Sequence, residues 1–118
     1  MTHKIYGIKA CDTMKKARAW LDGRGIDYAF HDYKVSGVSL EQLKQWAAAV
    51  GWDRLLNRAG TTFRKLPETD KADLTEAKAI ALMLAQPSMI KRPVLVKDAA
   101  LIVGFKPEIY AKAFGAAA

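Results

Sequence analysis

The spacing of hydrophobic residues changes along this chain, and each change predicts a different element. The first apolar run is typical of a short buried strand: Ile5, Tyr6 and Ile8. Residues 12–24 then carry apolar side chains at helical spacing, and Gly25 follows. Next, apolar residues alternate with others, as in a second strand: Ile26, Tyr28 and Phe30. A strand, a helix and a strand within about 30 residues normally form a right-handed parallel crossover, so we expect a β-α-β unit.

The middle of the chain, residues 35–86, predicts helices and no convincing strands. Ser39 and Gln42 have the spacing of a capping box, and they open a helix that Gly51 stops. Residues 52–67 are irregular and suggest short turns. A further helix is predicted over residues 75–85, and its N-cap is Asp73 or Thr75. Its predicted inward residues are Ala77, Ile80, Ala81 and Leu84.

The last third returns to strands. Two short apolar runs, residues 94–96 and 101–103, are separated by the spacing of an antiparallel hairpin. Pro107 suits the first turn of a final helix. The predicted inward residues of that helix are Ile109, Tyr110, Ala113 and Phe114.

The order of elements is β-α-β, a helical insertion, then β-β-α, which is the order of a thioredoxin-like fold. We therefore predict an α/β protein with a helical insertion between the second and third strands. A chain of 118 residues suits a single domain. Its predicted thioredoxin-like core is residues 1–34 and 87–118, and its insertion is residues 35–86.

Composition and net charge narrow the class of protein, its expected location and its expected partners. The balance of 51% hydrophobic and 26% charged residues is typical of a globular protein. No apolar run approaches the ~18 residues of a membrane span, and no signal-peptide pattern opens the chain, so we expect a cytoplasmic protein without a membrane partner. A net charge of +7 favours anionic partners without choosing among them.

Cys11 is the only cysteine, and it lies where the first strand gives way to the first helix. Unpaired N–H groups and the positive end of a helix dipole at such a junction stabilise a thiolate. Cys11 is therefore a candidate nucleophile, and the alternative is a small core hydrophobe. One cysteine cannot form an internal disulfide, so a redox cycle through Cys11 requires an external thiol.

In this fold the segment before the third strand passes close to the thiol, and here it contains Arg92 and Pro93. We predict a cis Arg92–Pro93 bond, the alternative being a trans proline at a sheet edge. Arg92 would then lower the pKa of Cys11 and hold an anion, unless it is a solvated surface charge. Lys9 would add weaker support, and Thr13 either donates to the sulfur or caps the helix.

The sequence fits poorly with a metal site, a phosphatase-type loop, a nucleotide cofactor or a nucleic-acid interface. Two histidines and one cysteine offer no metal-ligand spacing, so we expect no metal. A phosphatase-type loop requires arginine at the position of Ala17, and the arginine comes one residue later. There is no glycine-rich nucleotide loop, so we expect no nucleotide cofactor. We also expect no direct nucleic-acid binding, because no basic recognition helix or aromatic platform is present.

Four motifs stand out along the chain: Tyr-Gly-Ile-Lys-x-Cys-Asp-Thr-Met-Lys-Lys-Ala-Arg at 6–18, His-Asp-Tyr-Lys at 31–34, Leu-Leu-Asn-Arg at 55–58 and Ile-Lys-Arg-Pro at 90–93. Together they resemble the ArsC/Spx family, in particular its YffB branch. The resemblance covers essentially the full length. It implies a thioredoxin-like domain with a helical insertion, a catalytic Cys11 and a helper Arg92.

The family contains arsenate reductases coupled to glutathione and glutaredoxin, Spx regulators that bind RNA polymerase, and YffB proteins regarded as glutathione-dependent thiol reductases. Arsenate reductases use three arginines: Arg92 matches the middle one, Arg58 is offset from the first, and residues 104–106 offer no third. Arsenate reduction is therefore disfavoured. Met14 stands where redox-sensing Spx proteins carry a second cysteine, which excludes an internal disulfide switch.

The resemblance thus favours a glutathione-dependent thiol-disulfide oxidoreductase in which Cys11 and Arg92 are catalytic. Glutathione is the expected co-substrate, and glutaredoxin or a protein disulfide is a possible partner. The residues expected to bind substrate or glutathione are Lys9, Asp12, Thr13, Arg58, Lys91 and Pro93. The alternative is a non-enzymatic regulator that docks on RNA polymerase or another acidic protein, with Cys11 vestigial.

Overall fold

Strands β1 (His3–Gly7) and β2 (Tyr28–Asp32) lie parallel and are joined by helix α1 (Asp12–Gly23). This arrangement is taken from a computed structural model, which describes residues 3–9, 11–97 and 100–115. It confirms the predicted β-α-β unit. Strand β2 begins later than predicted because the Ile26 N–H bonds back to the Leu21 carbonyl at 3.1 Å, which holds Ile26 in the turn after α1.

The remaining strands complete a mixed sheet. Strand β3 (Val94–Lys97) pairs antiparallel with both β1 and β4 (Ala100–Val103), giving the order β2-β1-β3-β4 among the described residues. The predicted antiparallel pairing of the last two strands is confirmed, while its turn residues 98 and 99 lie outside the described part. Because β1 and β3 are antiparallel, the carboxyl end of β1 lies beside the amino end of β3.

Helices α1 and α8 (Pro107–Phe114) supply the core that packs with this sheet. The buried face of α1 is the predicted one: Met14, Ala17, Trp20 and Leu21. On α8, Tyr110 is fully buried against the aromatic rings of Trp20, Phe105 and Phe114. The prediction that Ile109 points inward is wrong, since it is 47% exposed. Tyr110 and Ala111 are both buried, and at about 100° per residue Ile109 lies on the far side of Tyr110 from Ala111, which turns it outward.

Residues Tyr33–Lys91 form a second compact unit, separate in its contacts from the unit that holds the sheet. It contains α2 (Tyr33–Ser36), α3 (Leu40–Val50), α4 (Trp52–Leu55), α5 (Thr61–Arg64), α6 (Glu68–Lys71), α7 (Glu76–Ala85) and a 3₁₀ turn (Pro87–Met89). Its described residues form no strand, only one isolated bridge between Leu56 and Ile90. The predicted mixed α/β, thioredoxin-like fold with a helical insertion is confirmed, and the single-domain organisation stays a prediction.

Local hydrogen bonds fix the two long helices of this unit. The Ser39 hydroxyl accepts the Gln42 N–H at 3.1 Å, and Gly51, with φ 92°, ends α3 as predicted. Thr75, rather than Asp73, caps α7 by accepting the Lys78 N–H at 3.2 Å.

The inward face predicted for α7 is largely wrong. Its buried residues are Ala79, Ile80 and Met83, whereas Ala77 and Ala81 are exposed and Leu84 is 40% exposed. The sequence of α7 is apolar nearly all round, so it has no polar stripe that would mark the outward side. Hydrophobic spacing alone therefore could not fix the rotation of this helix.

Candidate active site

Cys11 is the N-cap residue of α1, with extended backbone angles of φ −80° and ψ 131°. Its carbonyl accepts the first helical hydrogen bond, from Lys15 N–H at 3.0 Å, and its own N–H donates to the Ile8 carbonyl at 3.2 Å. These two bonds fix the backbone on both sides of the thiol. The side chain is half-buried and therefore remains accessible to a small reactant.

The position of Cys11 at the N-cap brings two backbone donors to its sulfur. An N-cap side chain ordinarily faces the N–H groups of the second and third helical residues, here Thr13 and Met14. The Cys11 side chain makes no capping hydrogen bond of ordinary geometry. Both N–H groups nevertheless stabilise the thiolate and lower the pKa of Cys11.

Opposing effects act on the pKa of the Cys11 thiol. Partial burial is the largest of them and raises the pKa, because a thiolate loses water more reluctantly than a thiol does. The Met14 N–H, a hydrogen bond from the Arg92 guanidinium, the Thr13 N–H and the charge of Arg92 all lower the pKa. Together they outweigh burial, and the pKa of Cys11 lies below its ordinary value.

The sheet explains why Arg92 reaches Cys11. Tyr6 on β1 lies opposite Val94 on β3, so the chain that leaves β1 toward Cys11 passes the chain that enters β3 from Arg92. The Arg92–Pro93 bond is cis, as predicted. Pro93 is buried, and its carbonyl accepts the Gly104 N–H at 2.8 Å, which ties the start of β3 to the end of β4.

Met14 is a functional residue that the sequence reasoning missed, because it was considered only as a core residue and as the absence of a second cysteine. Its side chain is fully buried and lies against Gly7 on β1. A Cβ atom at Gly7 would overlap Met14 Sδ and come within 2.8 Å of its Cε. The missing side chain of Gly7 thus lets Met14, and with it the first turn of α1, lie close to β1. The N-cap rule was the signal that could have found the Met14 N–H.

The other predicted residues near Cys11 differ in whether they lower its pKa. Thr13 acts through its backbone N–H, so the lowered pKa does not depend on its hydroxyl. Lys9 and Asp12 are exposed, and neither contributes to the lowered pKa of Cys11. The support of the thiolate by Lys9 stays a prediction.

Arg58 and Lys91, the remaining two predicted residues, lie in the second unit. They line one cavity of about 380 Å³. The complete lining is Asp53, Leu56, Asn57, Arg58, Ala59 and Lys91. The structure thus brings together two basic residues that lie far apart in the sequence.

Two features are absent from the described residues. No group of three or more histidine, cysteine, aspartate or glutamate side chains there is arranged to hold a metal ion. In the same ranges, no helix combines the length and apolar character that crossing a bilayer demands.

Comparison with known proteins places these features in a family. A solved structure of a YffB protein is 65% identical with a TM-score of 0.93, covering 95% of this chain and 98% of the other. An arsenate reductase (ArsC) related protein from Brucella melitensis is 60% identical with a TM-score of 0.78, covering 97% and 95%. An uncharacterized protein of Haemophilus influenzae is 41% identical over 93% of this chain and 96% of its own length. Residues 6–113 match the ArsC family, and the chain therefore belongs to that family.

Proposed function

We propose that the protein is a glutathione-dependent thiol-disulfide oxidoreductase with Cys11 as its nucleophile. The observation that carries the proposal is the lowered pKa of an accessible Cys11 beside the Arg92 guanidinium. Only the thiolate attacks a disulfide, so a lowered pKa increases the reactive fraction at neutral pH. Membership of the ArsC family, whose members include arsenate reductases, agrees with thiol chemistry at this position.

The reaction begins when the Cys11 thiolate attacks one sulfur of a disulfide substrate. The substrate S–S bond breaks, its other sulfur leaves as a thiolate, and Cys11 is left in a mixed disulfide. A first glutathione thiolate attacks the Cys11 sulfur and releases the second substrate thiolate. A second glutathione attacks the Cys11–glutathione disulfide, regenerates the Cys11 thiolate and leaves as glutathione disulfide. Two glutathione molecules thus supply the two electrons that reduce one disulfide.

Arg92 has two roles in this scheme. Its guanidinium stabilises the resting thiolate, and the same charge stabilises Cys11 as the leaving group when glutathione resolves the mixed disulfide. A guanidinium also offers a fork of donors that suits a carboxylate. Arg92, Lys9, Arg58 and Lys91 are the proposed partners of the glutathione carboxylates. Asp12, Thr13 and Pro93 are the other proposed positions of the binding site.

Titration of the Cys11 thiol, followed by mass spectrometry after exposure to glutathione disulfide, tests the proposal. We expect the pKa of Cys11 to lie below that of an ordinary thiol, and we expect one glutathione adduct that a Cys11→Ser variant does not form. A disulfide-reduction assay with glutathione should then show turnover, and arsenate in the same assay tests the disfavoured alternative substrate.

A Cys11 pKa at or above that of an ordinary thiol, with no adduct, would refute the proposed function. If turnover is also absent, and capture of an acidic partner such as RNA polymerase is unchanged in Cys11→Ala, the non-enzymatic binding role replaces it.

A further inference from the structure

The cavity of about 380 Å³ in the second unit is built on a fixed backbone. The Asn57 N–H donates to the Met89 carbonyl at 2.7 Å, and the Lys91 N–H donates to the Leu55 carbonyl at 2.8 Å. With the antiparallel bridge between Leu56 and Ile90, these bonds hold two distant segments side by side. These segments carry Leu56, Asn57 and Lys91 of the cavity lining, so the side chains of these residues start from well-defined positions.

Both signs of charge line this cavity. Asp53 supplies a carboxylate, and Arg58 and Lys91 supply cations. None of these three side chains forms an ion pair within the parts of the chain that the structure describes. The charges therefore remain available to a ligand that carries the complementary groups.

Neighbouring residues narrow the kind of ligand that the cavity can bind. The Arg58 guanidinium lies 5.4 Å from the centre of the Trp52 ring, a cation–π contact that restrains its position. Asn57 adds an amide, which both donates and accepts hydrogen bonds, and the side chain of Leu56 is buried. A simple anion such as phosphate would satisfy Arg58 and Lys91 but would meet the like charge of Asp53. A ligand with an ammonium beside a carboxylate satisfies all three charges.

We propose that this cavity binds an α-amino-acid group, with its ammonium on Asp53 and its carboxylate on Arg58 and Lys91. This group is present in a free amino acid and at the glutamyl end of glutathione, where the α-ammonium and α-carboxylate share one carbon. The glycine end of glutathione carries a carboxylate alone. Assignment of the ligand to glutathione rests on the proposed function, whereas the recognition of an α-amino-acid group does not.

NMR titration of the labelled full-length protein tests the proposal with three probes. S-methylglutathione retains the glutamyl end but cannot form a disulfide with Cys11. L-glutamate carries the α-amino-acid group and a free side-chain carboxylate without the rest of glutathione, and glutarate keeps both carboxylates but lacks the ammonium. We expect S-methylglutathione and L-glutamate to shift the amide signals of residues 53–59 and 91, with dissociation constants of the order of 1–10 mM. Glutarate should bind at least about fivefold more weakly, because it leaves Asp53 without a partner.

Variants of the cavity residues test which side chain binds the ammonium and which binds the carboxylate of the ligand. Asp53→Asn should remove the preference for L-glutamate over glutarate, and Lys91→Met should weaken both ligands. Lys44→Met is the matched control, since Lys44 is an exposed lysine on α3 outside the cavity lining, and binding should be unchanged.

Equal binding of glutarate and L-glutamate, or the absence of shifts at the cavity residues, would overturn the proposal even if Cys11 forms its glutathione adduct. Shifts with L-glutamate but not with S-methylglutathione would support the α-amino-acid site and exclude glutathione as its ligand. A cavity that binds L-glutamate in a protein whose Cys11 forms no adduct would support this site and refute the proposed function.

Discussion

Replacing Gly7 with alanine tests how the core holds the Cys11 thiolate. The new methyl group would overlap Met14 Sδ, and because Met14 is fully buried its side chain has no open space to enter. Overpacking of this kind costs roughly 1–3 kcal/mol of folding free energy. We expect part of the strain to move the first turn of α1 and with it the Met14 N–H. The donors of a helix terminus contribute about 0.3–2 kcal/mol, so their displacement should raise the pKa of Cys11 by a free energy within that range.

Urea unfolding and ultraviolet titration of the thiolate measure the two effects on the same protein. Gly23→Ala is the matched control, because a Cβ atom at Gly23 in α1 meets nothing within 4 Å. It should leave the Cys11 pKa unchanged and the stability equal or slightly higher. Met14→Ala in the Gly7→Ala background removes the overlapping atoms. The double variant should therefore be less destabilised than the sum of the single changes, by about 0.5–3 kcal/mol.

A Gly7→Ala protein that loses stability but keeps the Cys11 pKa of the parent would refute this reasoning. Met14 would then pack the core without positioning its N–H at the sulfur. Additive effects of Gly7→Ala and Met14→Ala would refute the overlap itself.

The remaining predictions concern Cys11, Tyr110 and Thr75. Arg92→Ala should raise the pKa of Cys11, with Arg92→Lys intermediate, and an unchanged thiolate titration would contradict the role of the guanidinium. Because the folded pKa of Cys11 is lowered, its contribution to stability is full above the unfolded pKa of about 8.5 and is lost as pH falls through the folded value. Urea unfolding across this pH window should show stability that falls with pH in the parent but not in Cys11→Ser. Tyr110→Phe should unfold at the same or higher urea, with a gain of up to about 1 kcal/mol, since its buried hydroxyl has no hydrogen-bond partner among the described residues; a clear loss would reveal one. Thr75→Ala should cost about 0.5–2 kcal/mol through loss of the α7 cap, and unchanged thermal unfolding would contradict that cap.

Sequence reasoning recovered the features that alternate clearly between apolar and polar residues. Helix α1 has a distinct polar face, so its four buried residues were identified correctly. Helix α7 lacks that contrast, and its rotation is set by packing against α3 and α4, which no local pattern encodes. Short helices such as α2 and α6 are single turns, and their sequences carry too few residues for a periodic signal.

Only part of the candidate site could be predicted from the sequence. The order of elements implied that Arg92 enters β3 beside the chain leaving β1, and the contact with Cys11 and the cis bond both follow that prediction. The positions of long exposed side chains such as Lys9 were not predictable, because many rotamers of similar energy are open to them. A backbone donor such as the Met14 N–H is independent of residue type, so only helix geometry reveals it.

The thiolate of Cys11 is supported from two parts of the chain, and this has a consequence during synthesis. The Thr13 and Met14 donors leave the ribosome almost together with Cys11, whereas Arg92 follows only after the whole helical unit has been made. A nascent chain therefore carries Cys11 without its guanidinium partner, in a form with a higher pKa. The thiolate fraction reaches that of the folded protein only when β3 pairs with β1 and Arg92 arrives beside Cys11.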